Sequence, residues 1–197
     1  MKTFAVIASL LIFVAGASGA IVDPGNISTV ANEEWYEFGS VEVLYDGSGL
    51  TAGMHDADMA NAWGCGNSAW TAPAPYGAND GNGAQATVMF TFSSAQNLSG
   101  IDIWNLGGWM GTDYGLGAKT VMIEYSTAAS PSSTSDWTTW FSGDLTNQPS
   151  SELPYDATDS LDLADVSAKH VAISMIVNQG YGSGTTYGGL AEVQFVL

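Results

Sequence analysis

The sequence contains very few basic residues. Its 197 residues include only three lysines and arginines, against 20 aspartates and glutamates, so the formal net charge is −17 at pH 7. All three cations are lysines, and arginine is absent. Nucleic-acid binding needs cations that displace counterions from phosphates, and binding to anionic membranes needs a basic patch. The composition therefore argues against both classes of partner.

Cysteine is nearly absent as well. Cys65 is the single cysteine, so the chain cannot form an internal disulfide. In a secreted chain, a lone cysteine is either a buried thiol or half of an intermolecular bridge, and we expect the buried thiol. A chain of this length can bury roughly 70% of its unfolded surface, which is enough for one domain without disulfides.

Long apolar runs are also missing, apart from one near the N-terminus. Lys2 precedes an apolar run over residues 4–14, and small residues at 15–17 and 18–20 offer cleavage sites. This layout is typical of a secretory signal peptide, and the run is too short to span a membrane. We expect a signal peptide at residues 1–20 and one domain at residues 21–197. The protein would then be extracellular, or periplasmic in a cell with two membranes.

The dominant pattern of the remaining chain is a two-residue alternation of apolar and polar side chains, which predicts β-strands. Residues 56–63 could form one helical turn at most, and the low-complexity stretch at 126–136 predicts a solvated hairpin connection. Many short strands separated by glycine, asparagine and serine favour an all-β sandwich or barrel. The predicted strands are residues 41–45, 86–92, 98–106, 119–126, 137–141, 169–177 and 191–197.

Three long segments between these strands combine glycine with aromatic residues: 64–83, 107–118 and 178–189. Loops longer than about 12–15 residues in a compact domain are usually functional or disordered, and the aromatic residues favour function. Exposed aromatic side chains can anchor a ligand. In the alternative interpretation, they fold back and cover the end of the sandwich. The residues concerned are Trp109, Tyr114, Tyr181 and Tyr187.

Five segments carry a resemblance to a known family. They are Leu-Tyr-Asp-Gly-Ser-Gly-Leu at 44–50 with His55 and Trp63 after it, Asn-Leu-Ser-Gly-Ile-Asp-Ile-Trp-Asn at 97–105, Gly-Ala-Lys-Thr-Val-Met-Ile-Glu-Tyr-Ser-Thr at 117–127, Ala-Lys-His-Val-Ala-Ile at 168–173 and Gly-Leu-Ala-Glu-Val-Gln-Phe at 189–195. In this order they resemble the discoidin-type, galactose-binding-like domains, which include coagulation-factor C-type domains and family 32 carbohydrate-binding modules. The resemblance implies an all-β, antiparallel jelly-roll β-sandwich of about eight strands, with a ligand site on loops at one end.

The chain departs from the family in its lack of arginine. Ala172 and Gln194 stand where the family usually has arginine. Sugar-binding members often use an arginine together with a histidine, so a sugar site here must rely on other side chains. The resemblance and the residue types together indicate His55, Asp56, Asn105, Trp109, Tyr114, Asn178 and Tyr181 as ligand-binding candidates. In the alternative interpretation the His55 segment is only a polar loop; we expect Trp63 and Trp104 in the core.

The resemblance also implies a structural Ca²⁺ between the turn after the first strand and the last strand. Asp46 and Glu192 match the family's ligand positions, and Ser48 is a further oxygen donor. Ca²⁺ takes six to eight oxygen ligands, and glycine-rich turns can direct carbonyl oxygens towards it. Alternatively, Asp46 only forms an Asx-turn and Glu192 is an exposed edge residue. A zinc site is disfavoured because Cys65 has no partner at metal-ligand spacing.

Catalytic motifs are weak throughout the sequence. The Gly-Ser-Gly triplets at 47–49 and 182–184 are too short for the Gly-x-Ser-x-Gly nucleophile motif. Two of the many carboxylates could still form a glycosidase pair. We therefore predict a secreted, non-catalytic module that binds a neutral extracellular or cell-surface glycan. The main alternative is a structural or adhesive surface protein that self-associates or binds the cell envelope, and a hydrolase built on a sandwich is the third.

Overall fold

The computed structural model describes residues 19–31, 39–56, 58–65, 85–106, 117–148, 154–176 and 188–197. In these ranges there are nine strands and four short 3-10 turns, and none of the described helical segments is long and apolar enough to cross a membrane. The strands are β1 (Ile27–Ala31), β2 (Leu50–Thr51), β3 (Met54–His55), β4 (Trp63–Cys65), β5 (Gln85–Asn105), β6 (Thr120–Ser126), β7 (Thr138–Asp144), β8 (Asp159–Ile176) and β9 (Gly188–Val196). The 3-10 turns are Pro24–Asn26, Val41–Leu44, Met59–Asn61 and Thr134–Asp136.

Two long strands, β5 and β8, form the centre of the fold. They pair antiparallel along most of their length, with register shifts between Thr91 and Gln96 and between Leu98 and Gly100. Such irregularities bend strands, so each strand contributes to two sheets. Hydrogen bonds join seven strands in the order β4-β9-β5-β8-β6-β7, with β1 also paired to β5, and β2 and β3 pair separately. We call the part built on the first half of β5 (β1, β5, β8, β6 and β7) the front sheet and the part built on its second half (β4, β9, β5 and β8) the back sheet.

The main core lies between these two sheets. Alternation along the first half of β5 turns Val88, Phe90 and Phe92 inwards, and all three are fully buried. Phe195 of β9 belongs to the back sheet, and its ring centroid lies 5.0 Å from that of Phe90 and 5.1 Å from that of Phe92, both edge to face. Aromatic rings at this spacing and angle attract each other through their quadrupoles. The predicted antiparallel β-sandwich is confirmed.

A smaller buried cluster lies on the outer side of the back sheet. Trp104 and Ala191 project from β5 and β9, and Ala62, Leu106 and Tyr155 pack against them. Trp104 is 4% exposed and Trp63, in the main core, is fully buried, so both tryptophans are core residues as predicted. Leu50, Ala62, Tyr155 and Ala157 therefore cover this face, where a sandwich sheet would ordinarily meet water.

The strand predictions at 119–126, 137–141 and 191–197 are confirmed by β6, β7 and β9. Residues 126–136 connect β6 to β7 and are mostly exposed, also as predicted. The strand predicted at 41–45 is wrong, because Val41–Leu44 is a 3-10 turn that buries Val41, Val43 and Leu44. Apolar residues at the first, third and fourth positions fit one helical turn as well as a strand.

Other differences come from strand length. The predicted strands 86–92 and 98–106 are one strand, because the polar residues between them continue around the edge of the sandwich. The strand predicted at 169–177 is only the second half of β8. Its first half contains three aspartates, at 159, 162 and 165, and polar sequence of this kind carries no strand signal.

Candidate functional site: a glycine corner and a carboxylate pair

The ends of four strands meet at one end of the sandwich. Cys65 of β4 pairs with Gly188 of β9, and Asn105 of β5 pairs with Leu190. Just before β6, Gly117 forms a bridge with Gly189. We call residues 65, 105–106, 117–118 and 188–190 the Gly189 corner. Flanks of all three aromatic-bearing segments predicted to be loops meet there, because residues 66, 107, 116 and 187 directly adjoin it in the chain.

The corner requires glycine because its backbones approach closely. A Cβ atom on Gly189 would lie 2.7 Å from the carbonyl oxygen of Trp63 and 2.7 Å from a methyl group of Leu106. A Cβ atom on Gly117 would lie 2.5 Å from the Leu106 carbonyl oxygen. These separations are below van der Waals contact, and a backbone oxygen cannot rotate away as a side chain can. The glycines at the strand ends therefore serve packing.

Asn105, a predicted ligand-binding residue, lies inside the corner, and the structure gives its side chain partners within the protein. The residue has no exposed surface. Its amide nitrogen donates hydrogen bonds to the carbonyl oxygens of Ala118 (2.7 Å) and Thr146 (2.9 Å), and its amide oxygen accepts one from the Leu106 backbone N–H (3.0 Å). The Asn105 side chain therefore bonds groups of the protein itself. The sequence indicated a polar side chain at this position but not these structural hydrogen bonds.

His55, another predicted ligand-binding residue, is also buried, and its contact with a ligand stays a prediction. Its Nε2 lies 3.0 Å from the carbonyl oxygen of Asn61, and its ring packs 5.7 Å from that of Tyr155. Backbone hydrogen bonds of 2.8 and 2.9 Å also join His55 to Tyr155. Burial lowers the pKa of His55, although the Asn61 carbonyl and the nearby carboxylates of Asp56 and Asp58 oppose the shift. The side chain fastens residues 55–61 to the sandwich.

Tyr155 is a residue that the sequence analysis missed. Its hydroxyl group donates a 3.0 Å hydrogen bond to the backbone oxygen of Asn105, while its backbone pairs with His55. Burial is the main cause that raises the pKa of its phenol. Tyr155 thus joins the His55 segment to the Gly189 corner. Neither apolar alternation nor a motif marks the residue in the sequence.

Asp56 is the one ligand-binding candidate that the structure describes as exposed. Its side chain is 43% exposed. One carboxylate oxygen accepts a hydrogen bond from the Asp58 backbone N–H (2.9 Å), and the other accepts one from the Asn61 side-chain amide (2.9 Å). The carboxylate therefore shapes its own turn, and its contact with a ligand stays a prediction.

The remaining ligand-binding candidates lie outside the described residues. These are Trp109, Tyr114, Asn178 and Tyr181, and Tyr187 lies outside as well. Their roles stay predictions. The side chain of Cys65 is not described either, so the expected buried thiol also stays a prediction.

Asp46 lies in a turn rich in glycine. Its carboxylate accepts a 2.7 Å hydrogen bond from the Ser48 backbone N–H, which is the Asx-turn that the sequence suggested. Gly47 and Gly49 both have φ near +79°, a conformation that glycine adopts without strain. The turn closes with a 3.0 Å hydrogen bond from Leu50 N–H to the Gly47 carbonyl. Asp46 itself is exposed.

Glu192 lies beside this turn and is fully buried, so the interpretation of Glu192 as an exposed edge residue is wrong. Burial, and secondarily the charge of Asp46, raise the pKa of Glu192 to about 8. The Gly47 backbone N–H and the Gln194 side chain oppose the shift. Even so, neither carboxylate oxygen of Glu192 has a partner with hydrogen-bond geometry among the described residues. An ionised carboxylate in this position needs a counter-charge.

A hard cation would satisfy this arrangement. The charge of Asp46 acts on the buried Glu192, neither of whose carboxylate oxygens has a partner with hydrogen-bond geometry among the described residues. Oxygen donors of this kind suit Ca²⁺. Among the described residues, no three His, Cys, Asp or Glu side chains group as metal ligands. A cation at Asp46 and Glu192 would thus complete its shell with carbonyl, hydroxyl or water oxygens.

The chain has two histidines, and both are buried. His170 is 4% exposed; its Nδ1 lies 2.9 Å from the Thr91 hydroxyl, and its Nε2 faces the Ala129 carbonyl at 3.4 Å. A general base must reach the proton it removes from a substrate. Neither histidine can do so at the surface of this structure, so histidine-dependent hydrolysis receives no support.

The sequence matches no known protein family and no curated protein. The fold, by contrast, matches solved structures. CpGH89CBM32-5 from Clostridium perfringens, solved in complex with GalNAc-β-1,3-galactose, superposes with a TM-score of 0.56 at 13% identity, over 90% of this chain and 100% of that one. The family 32 carbohydrate-binding module of Clostridium perfringens NanJ, solved with galactose, gives 0.55 at 12% identity, over 89% and 96%. An F5/8 type C domain from Bacteroides fragilis gives 0.56 at 13% identity, over 91% and 96%.

These likenesses establish the fold. The chain is an antiparallel β-sandwich of the kind found in family 32 carbohydrate-binding modules and F5/8 type C domains, and the predicted resemblance is confirmed at that level. The aligned identity is low, so the ligand of this chain has to be argued from its own residues.

Proposed function

We propose that this protein is a secreted, non-catalytic module that binds neutral carbohydrate at the Gly189 corner. The observation that carries the proposal is that the flanks of three glycine-rich segments meet at one end of the sandwich. Two of these segments contain the candidates Trp109, Tyr114 and Tyr181. Solved domains with the same fold hold galactose and GalNAc-β-1,3-galactose. Aromatic faces can stack on sugar rings while polar groups bond their hydroxyls.

The charge of the protein supports a neutral or weakly basic glycan. A net charge of −17 repels anions at long range. One of the three lysines is already used within the protein, because Lys169 Nζ donates hydrogen bonds to the backbone oxygens of Phe92 and Ser93. With arginine absent, the chain has few groups that could pair with a sulfate or carboxylate of an acidic sugar.

Ca²⁺ belongs to this proposal as a structural ion held by Asp46 and Glu192, with an oxygen of Ser48. It would supply the counter-charge that the buried Glu192 carboxylate needs. Glu192 precedes Val193 in β9 and follows the corner residues 188–190, so the ion would stiffen the strand that supports the corner. Its role is to hold the fold, and the proposal assigns it no chemistry on the ligand.

Secretion is supported by the charged, apolar and small-residue layout of residues 1–20. A non-catalytic role is supported by the similar solved domains, which are carbohydrate-binding modules, and the burial of both histidines argues against histidine-dependent catalysis only. A secreted binding module would recognise a glycan of the cell surface or the extracellular medium.

The test is binding of the mature chain, residues 21–197, to an array of neutral glycans in Ca²⁺, followed by calorimetry on the best ligand. We expect Trp109→Ala and Tyr181→Ala to weaken binding by about tenfold or more, because one stacked aromatic group contributes on the order of 1–2 kcal/mol. Trp140→Ala is the matched control, since Trp140 lies on β7, where its indole N–H bonds the Ala164 carbonyl at 2.8 Å, away from the corner.

Two results would contradict the proposal. One is the absence of binding to any neutral glycan. The other is an equal loss of affinity in Trp140→Ala and in the two loop variants. Concentration-dependent assembly in light scattering, with no glycan dependence, would favour the adhesive alternative.

A further inference from the structure

Asn105 combines complete burial with an unusually full set of hydrogen bonds. Its side chain makes three, to Leu106, Ala118 and Thr146. Its backbone makes two more to side chains: its N–H donates to the Thr158 hydroxyl (3.0 Å), and its carbonyl accepts from the Tyr155 hydroxyl (3.0 Å). One residue therefore joins four stretches of chain that are distant in sequence.

The position of Asn105 in the chain determines which segments this hydrogen-bond network holds together. The side-chain amide contacts Leu106 on one side of residues 107–116 and Ala118 on the other. Ala118 in turn donates its backbone N–H to the Gly189 carbonyl at 3.1 Å. The Asn105 amide thus holds Leu106, before residues 107–116, and Ala118, after them, relative to β9. Strand β9 begins directly after residues 177–187.

We propose that Asn105 is a positioning residue for ligand binding: it never touches the ligand, and it sets the spacing of Leu106, Ala118 and Gly189 in the corner. The expected effect of Asn105 on glycan affinity rests on the proposed function. The structural part of the inference stands independently, because it concerns only how Leu106, Ala118 and Gly189 are held.

The amide group itself is required for this role. The carbonyl oxygens of Ala118 and Thr146 both need a donor, and the Leu106 N–H needs an acceptor, so the site calls for two N–H groups and one oxygen on the same plane. Aspartate has the same size but offers no N–H donor. An aspartate at 105 would direct a carboxylate oxygen at two carbonyl oxygens and push them apart.

The test compares Asn105→Asp with Thr91→Val in the mature protein. Thr91→Val is the control, because it removes a hydroxyl that bonds the buried His170, at a position near the register shift of β5 and away from the corner. Site-resolved hydrogen exchange is measured on the backbone amides of Leu106 and Ala118, with amides of β5 and β8 in the front sheet as the internal reference. Glycan affinity is measured by calorimetry at a temperature where every variant is folded.

We expect Asn105→Asp to accelerate exchange at Leu106 and Ala118 relative to the reference amides and to weaken glycan binding by about tenfold, whereas Thr91→Val changes neither ratio. If Asn105→Asp does not fold, Tyr155→Phe is the second variant, because it removes only the bond to the Asn105 carbonyl. It should accelerate exchange at the same amides by a smaller factor.

Unchanged relative exchange at Leu106 and Ala118 in the variant that folds would overturn the positioning role. If the wild-type protein binds no glycan, the proposed function fails, and the exchange result still decides the role of Asn105. Normal affinity in a glycan-binding Asn105→Asp protein would likewise overturn the positioning role.

Discussion

Replacing Glu192 by glutamine should make the metal-free protein more stable at alkaline pH. Burial raises the pKa of Glu192 from 4.5 to about 8. The folded protein therefore holds this proton more tightly than the unfolded chain does, and folding takes up a proton between these two values. The contribution of Glu192 to stability is greatest below pH 4.5 and is lost as the pH rises to 8.

The size of the effect follows from the same shift. One pKa unit corresponds to about 1.4 kcal/mol, so between pH 5 and pH 8 the metal-free wild type should lose about 3 kcal/mol relative to Glu192→Gln. For a domain of this length, this corresponds to a difference in Tm of roughly 6–12 °C. Glutamine keeps the shape of the side chain and cannot ionise.

The assay is thermal unfolding of both proteins in EDTA from pH 5 to pH 8, repeated in millimolar Ca²⁺. In Ca²⁺ the gap at pH 8 should nearly close, because an ion at about 100 times its dissociation constant stabilises the wild type by about 2.7 kcal/mol, whereas the variant lacks the second carboxylate that would hold the ion. Asp102→Asn is the matched control, since Asp102 is a half-exposed carboxylate on the same strand as Trp104 and pairs with Gln194. A Glu192→Gln protein that is no more stable than wild type at pH 8 in EDTA would refute the reasoning.

Two further predictions concern the buried histidines and the corner. Burial lowers the pKa of both His55 and His170 below 6.5, so their contribution to stability is present above that pH and is lost as the pH falls below it. Urea unfolding of His170→Gln should therefore show a smaller loss between pH 7.5 and pH 5 than the wild type, and an equal loss would contradict this. Gly189→Ala should lower the free energy of unfolding by about 1–3 kcal/mol, because its Cβ would meet the Trp63 carbonyl oxygen at 2.7 Å. Gly25→Ala, whose nearest neighbour is an Asp23 side-chain oxygen at 3.3 Å, is the control and should change it by less than about 0.5 kcal/mol; equal losses in the two variants would argue against the packing role of Gly189.

The fold class could be predicted from the sequence because it depends on local alternation. Val88, Phe90 and Phe92 on one face of β5 predict a strand whatever surrounds them, and the structure buries all three. The continuity of β5 through residues 93–97 could not be predicted, since it depends on pairing with β8 far along the chain. The same holds for β1, which is a strand because it pairs with β5.

The candidate site was harder to predict, because a residue's type indicates what its side chain can bind but not whether that side chain is exposed. His55 and Asn105 are chemically suited to bind a sugar, yet both are buried, with Tyr155 bonded to each of them and Thr146 bonded to Asn105. The resemblance implied that Asp46 and Glu192 lie near each other, and the charge of Asp46 does act on Glu192; their role as metal ligands stays a prediction. The burial of Glu192 depends on the turn that folds over it, and no local pattern encodes that contact.

The sharing of β5 and β8 between both sheets has a consequence for how the chain folds. Thr87 and Ser174, which bond across this pair at 2.9 Å, are 87 residues apart in the sequence. Closing so long a loop costs entropy before any sheet can form, so folding of this topology is slow compared with that of local hairpins. Once β5 and β8 have paired, the remaining strands of both the front and the back sheet can add to this pair. Neither sheet can then melt while the other persists, and the Gly189 corner inherits the stability of the entire sandwich.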